Sequence, residues 1–313
     1  GGRHGIHAGT DVSRTAQRLI VPRVVRVFLI LLLALGPPLA QAQSEPPVLL
    51  AESEPQEQVH WAVGAFFGTG WYQVDDNRSV FVLRIQPRHQ IRDPALPEEG
   101  ERRLGVEILY PLSLGFSQLD DIPDFIEFDN YATISFTPGV VIEVPVNPRW
   151  SLRPFAHVGY GWEFESQEGA LIGYGGVKSR YRLSDDRFRW SLLNGLYYAG
   201  YKPEFEDRGQ YGALMAGLEF SQPLHKLDLD GDPLFLNWHL TYNWYFDRLN
   251  FHSAADNFAS FRDQWELGLA IAKRDQALDF GFVSFEQVGL ALRWSSDGNF
   301  NAITINFRSP FTD

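Results

Sequence analysis

The side chains best suited to covalent chemistry sit in "FHSAADN", residues 251–257. His252, Ser253 and Asp256 are the types that build an acyl-transfer site: imidazole takes the serine proton, and a carboxylate orients the imidazole. Adjacent His and Ser point to opposite faces of a strand, so these three can meet only in a loop. No G-x-S-x-G elbow, H-E-x-x-H pair or phosphate loop accompanies them. Non-catalytic function is therefore the primary expectation, with these three residues as the alternative.

Metal chemistry has weaker support. "DLDGD" (228–232) alternates Asp228, Asp230 and Asp232. Pro233 stands where a calcium loop needs Gly, and His239 where it needs a bidentate Glu, so the stretch reads as an acidic turn. His157 and His239 have no second ligand at a fixed spacing, so neither a metal site nor a cofactor is expected. The absence of Cys excludes a thiolate site, a Cys nucleophile, a disulfide scaffold and a Cys-linked lipid anchor.

What these residues do depends on the elements that hold them. In "LFLNWHLTYNWYF" (234–246), Leu234, Leu236, Trp238, Leu240, Tyr242, Trp244 and Phe246 form one face. Phe235, Asn237, His239, Thr241, Asn243 and Tyr245 form the other. Such strict alternation is a strand with two unlike faces. The same pattern sets Val106, Ile108 and Leu114 against Glu107 and Ser113, and Leu152, Val158 and Trp162 against Arg153, His157 and Glu163. It recurs in 130–144, 214–220, 265–271, 288–294 and 303–307, and less regularly in 61–72, 79–86, 170–182 and 188–201. Twelve strands are expected, with longer connections at 87–102, 117–129, 222–233 and 247–262.

A soluble sandwich also alternates, but its inner face is dry. Here the face opposite the apolar stripe carries Gly, Ser, Thr, Asn and charges of both signs, and all nine Trp lie in or beside strands. Strands of this length, tilted about 45°, cross a bilayer's apolar slab. A spanning sheet must close, because an open edge in lipid leaves backbone groups unpaired. The fold class expected is all-β: a closed antiparallel transmembrane β-barrel of about twelve strands. Its polar face should line the lumen through Arg153, His157, Glu163, Asn237, His239, Thr241, Asn243, Glu266 and Arg293. Arg103, Glu107, Glu143, Lys178, Arg180, Glu219, Asp247 and Arg308 are further inward candidates.

The net charge of −12 argues against nucleic acid as a partner. At the N-terminus, Arg3, Arg14, Arg18, Arg23 and Arg26 precede the apolar run Val27 to Leu35, then Pro37, Pro38 and Ala40-Gln41-Ala42. That is the pattern of a secretory signal peptide over 1–42, cut after Ala42; residues 1–20 read as upstream of a translation start near Val21. Residues 43–59 form a flexible acidic leader, and 60–313 the barrel.

In "NAITINFRSPFTD" (301–313), Ile303, Ile305, Phe307 and Phe311 share one parity and an aromatic closes the series. This resembles the assembly signal of bacterial outer-membrane barrels. With twelve strands and Gly/aromatic-rich texture such as "RPFAHVGYGWEF" (153–164), the chain resembles the solitary outer-membrane autotransporter β-barrel proteins. The resemblance implies a translocator-like barrel without a passenger, acting as a narrow solute pore or a structural barrel. It also implies a bacterial outer-membrane location, contact with outer-membrane lipid, and recognition of the last strand by the barrel-assembly machinery. Some outer-membrane barrels deacylate lipid A with Ser and His at the lipid-facing rim. The alternative function is such an acyl hydrolase, through His252, Ser253 and Asp256.

Overall fold

The computed structural model describes residues 68–74, 78–96, 103–117, 131–164, 167–184, 188–204, 208–229, 232–252, 258–273, 278–280 and 283–312. The expected signal peptide and leader fall outside them. Every regular element among the described residues is a strand, and no helix there is long and apolar enough to cross a membrane.

The chain begins its ladder with β1 (Gly70–Val74), β2 (Arg78–Ile85) and β3 (Arg88–Arg92). Next come β4 (Gly105–Leu109), β5 (Leu112–Ser117), β6 (Tyr131–Phe136), β7 (Gly139–Asn147) and β8 (Trp150–Glu163). Long strands follow: β9 (Glu168–Ser184), β10 (Arg189–Pro203), β11 (Gly209–Leu229), β12 (Asp232–His252) and β13 (Phe258–Lys273). A separate small hairpin, β14 (Leu278–Phe280) and β15 (Val283–Phe285), precedes β16 (Gln287–Trp294) and β17 (Phe300–Asn306). All pairings are antiparallel; β1 pairs with β17 and β8 with β9, so the sheet closes on itself.

Three pairs of segments are single staves interrupted by proline. Pro87 separates β2 from β3, Pro111 separates β4 from β5, and Pro138 separates β6 from β7. Each proline lacks the N–H that its ladder position requires. The reciprocal bonds survive: Tyr110 N donates to Pro87 O at 2.9 Å, Thr137 N to Pro111 O at 3.0 Å and Val158 N to Pro138 O at 3.1 Å. Register is unchanged across each break, so the fifteen barrel segments make twelve staves, a closed twelve-stranded antiparallel barrel.

Two expected connections are strand instead. Residues 222–229 continue β11 and 232–233 open β12, and most of 247–262 belongs to β12 and β13. Apolar alternation fades there while backbone pairing goes on, through register shifts between Leu224 and Asp228 and between Trp244 and Leu249. Pro87 had hidden the continuation of its stave through Arg92 in the same way.

The barrel has two rims. The near rim carries the β7–β8 turn and the end of β17; the far rim carries the β16–β17 turn, where Gly298 adopts φ 82°. Apolar side chains cover the outer wall: Leu267, Leu269, Leu290, Leu292 and Ile303 are all exposed. Aromatic side chains gather at two levels on that wall. Trp190, Phe220 and Trp238 pack together toward the near rim, while Tyr242 lies against Trp265 and Trp244 against Phe246 toward the far rim.

Candidate functional site

The inner wall bears the polar chemistry, in three layers. The far layer is apolar. Tyr72, Val82, Phe261, Phe300, Leu249 and Tyr245 pack into one buried cluster from β1, β2, β13, β17 and β12. Phe261 and Phe300 meet at 4.7 Å between ring centroids. These inward side chains come from staves that lie close together in the sheet order and line one side of the lumen at its far end.

The middle layer surrounds a cavity of about 210 Å³. Glu266 on β13 is its hub. His239 Nε2 donates to Glu266 Oε1 at 2.7 Å, Arg293 Nε lies 2.7 Å from Oε2, and Asn306 Nδ2 donates to Oε1 at 3.4 Å. One carboxylate thus ties β12, β16 and β17 to β13. A buried carboxylate is tolerable only with this many donors. On the opposite wall, His157 Nδ1 lies 2.9 Å from Thr137 O, and the imidazole stacks on Tyr174 with centroids 4.3 Å apart. Arg84 Nη2 donates to the Tyr174 hydroxyl at 3.1 Å.

Both imidazoles face glycines across the ladder: His157 opposes Gly139, and His239 opposes Gly268. A Cβ on Gly139 would lie 2.2 Å from His157 Nδ1, and one on Gly268 2.1 Å from His239 Cε1. Each ring lies flat against the wall because its neighbour has no side chain.

The near layer is charged and holds the residues that follow β17. Arg153 pairs with Glu107 at 2.9 Å and with Glu143 at 3.1 Å. Phe311 is 1% exposed inside the barrel, packed on Leu193 and Met215, with the Arg180 guanidinium 4.3 Å from its ring centroid. Gln287 joins wall to tail: Asn237 Nδ2 donates to its Oε1 at 3.1 Å, and its Nε2 donates to Arg308 O at 2.7 Å.

Of the residues named from sequence, Arg153, His157, Lys178, Thr241, Asn243, Glu266 and Arg293 line the central cavity. His239 is buried on Glu266 just behind it, and Asn237 lies toward the near rim on Gln287. Glu163 is half-buried at the far end of β8, apart from that lining. Arg103 and Asp247, expected inside, are exposed: Arg103 precedes β4, and Asp247 lies where β12 passes its register shift. His252 is the last residue of β12, and Ser253 and Asp256 lie outside the described residues. Among the described residues, no group of three His, Cys, Asp or Glu could hold a metal ion.

The four residues of the expected assembly signal separate. Ile303 and Ile305 are exposed on the outer wall, Phe307 stacks on Phe285 at 4.6 Å, and Phe311 lies inside. Parity carries a residue to a face only while the strand continues, and β17 ends at Asn306. Arg84, Tyr174, Gln264 and Gln287 escaped sequence reasoning, although Gln264 shares the parity of Glu266 and Arg84 that of Val82.

No model of a known protein family matches the chain, and no curated protein matches it either. The likeness to autotransporter barrels therefore stands on strand number and sequence texture.

Proposed function

We propose that the chain is an integral bacterial outer-membrane β-barrel, translocator-like in size, that serves as a structural barrel with a closed lumen. One observation carries the reading: polarity is inverted. Val158 is 61% exposed and Leu290 59%, while His239 is 3% exposed and Glu107 4%. An apolar wall of this extent far exceeds the patches of a few hundred Å² that soluble monomers show. The outward stripe from Leu234 to Phe246, at about 3.3 Å per residue and a tilt near 45°, covers about 28 Å, the thickness of a bilayer's hydrocarbon core. The basic and apolar segments before Ala42 support export.

The closed form is favoured over a narrow pore by the apolar far layer and by Phe311 in the near layer. The same reading assigns the outward residues Ile303 and Ile305, with Phe307, to recognition by the barrel-assembly machinery. Phe311 would be available to that machinery only before the barrel closes.

Extraction and conductance test the proposal together. The protein should leave cell envelopes only with detergent and migrate faster unheated than heated in denaturing gels. In planar bilayers it should give no steady conductance steps. Release by salt washing would overturn the membrane assignment, and steady steps would favour the pore.

A further inference from the structure

We propose that residues 308–312 form a removable stopper that seals the central cavity at the near rim, with the Phe311 ring seated in a site on the barrel wall. The proposal rests on the closed-lumen reading and goes beyond it by naming the part that closes one end.

The segment is held by side chains and not by the ladder. The last backbone bond of this strand pair runs from Gln287 N to Phe307 O, after which the chain leaves the wall. Ser309 turns it inward, its hydroxyl accepting from Phe311 N at 3.2 Å. From there every hold is a side-chain contact. Lys178 Nζ donates to Pro310 O at 3.1 Å, Thr312 Oγ1 donates to Glu286 Oε2 at 2.6 Å, and Arg308 Nη2 lies 3.6 Å from Glu107. The Phe311 ring has Arg180 at 4.3 Å and Arg153 at 5.5 Å from its centroid. Cations over an aromatic face attract it most strongly where water is excluded.

These partners come from β4, β8, β9 and the residue just before β16, so the segment bridges the lumen from several directions. Pro310, Phe311 and Thr312 themselves form part of the cavity lining. Withdrawal would break no β17 pairing and would leave the twelve staves closed. Withdrawal would open the cavity at the near rim and leave the far cluster around Phe261 and Phe300 in place.

The chain has no Cys, so a single engineered thiol reports access cleanly. In Thr241→Cys the thiol would sit in the cavity wall. Its reaction with a charged maleimide is measured on the full chain in detergent micelles, with heat-modifiable migration as the check on folding. With Phe311 in place the reaction should be slow. Phe311→Ala should accelerate it about tenfold or more, the scale set by losing one buried aromatic side chain from the closed state. Phe311→Tyr should keep it slow. Arg180→Ala leaves the segment's own sequence intact and should act in the same direction as Phe311→Ala, so it decides the matter if Phe311→Ala does not fold. Rapid reaction with Phe311 present would overturn the closed-lumen reading itself. Slow reaction in every folded variant would overturn the stopper and leave the closed lumen standing.

Discussion

His157 donates from Nδ1 to the carbonyl of Thr137 at 2.9 Å, and that carbonyl is the one Pro111 cannot serve. Thr137 and Pro111 face each other as a hydrogen-bonded ladder pair, of which only Thr137 N to Pro111 O can form. The carbonyl oxygen left over is a buried acceptor, and the imidazole one strand away fills its need. Since a carbonyl only accepts, Nδ1 carries the hydrogen and the tautomer is fixed. His157 is thus a repair to the proline-broken wall before it is anything else.

The repair predicts coupling between His157 and Pro111. His157→Leu should destabilise the barrel by about 1–3 kcal/mol, the range for orphaning a buried acceptor. Pro111→Ala restores an N–H to the ladder, and in that background the cost should fall by about 1 kcal/mol. Urea unfolding in micelles, followed by tryptophan fluorescence, measures the four corners of the cycle. Strict additivity would mean that the two residues do not share the Thr137 carbonyl.

Glu266 should be the most expensive polar side chain to remove. Its loss strands Arg293 and His239 inside the wall, and breaking one side of a buried ion pair costs about 3–5 kcal/mol. Arg262, exposed on the outer wall over the Trp244 ring, should cost about 1 kcal/mol or less when changed to Ala. Equal losses for Glu266→Ala and Arg262→Ala, by the same unfolding assay, would remove Glu266 from the centre of the network.

Glycines differ by what their missing side chain would meet. Gly268→Ala drives a Cβ into the His239 ring and should cost about 1–3 kcal/mol. The nearest atom to a Cβ on Gly173 is His157 O at 3.8 Å, so Gly173→Ala should stay within about 0.5 kcal/mol of the parent. Moving Gly268→Ala into a His239→Ala background should remove most of its penalty. A penalty unchanged there would assign the clash to the backbone.

Alternation made the staves legible because a strand's two faces meet two different surroundings. Leu234 to Phe246 needed no tertiary information to be divided correctly between wall and lumen. Strand ends were not legible, since pairing beyond the apolar band, as in β11 to Leu229, leaves no hydropathy trace. Prolines mislead in the same sense for another reason: Pro87 looks like an end but removes one bond from a stave that continues. Phe311 was illegible for a sharper reason. Its parity matches Ile303 and Ile305, yet the chain turns after Asn306, and nothing local to "RSPF" reports the Arg180 and Arg153 guanidiniums waiting on β9 and β8. His239 and Glu266 fall on inward parities, but their meeting depends on the register between β12 and β13, which a single sequence does not carry.

The outer wall offers the test with opposite signs for opposite solvents. Leu267 is 46% exposed and lies in a row with Leu240 and Leu292 across β12, β13 and β16. Phe246 lies at the end of its stripe, beyond Trp244. If the wall faces lipid, Leu267→Arg places a charge near mid-bilayer and should cost about 2–4 kcal/mol of folding into liposomes. Phe246→Arg, near the interface, should cost about 0–1 kcal/mol. In water the ranking has no reason to exist, since an exposed Leu exchanged for Arg would be near neutral and more soluble. Refolding yield into vesicles, read as the shift from heated to unheated mobility, separates the two cases. A graded loss, severe at Leu267 and mild at Phe246, follows only from a bilayer around the barrel; equal and small effects would return the apolar wall to an unexplained surface.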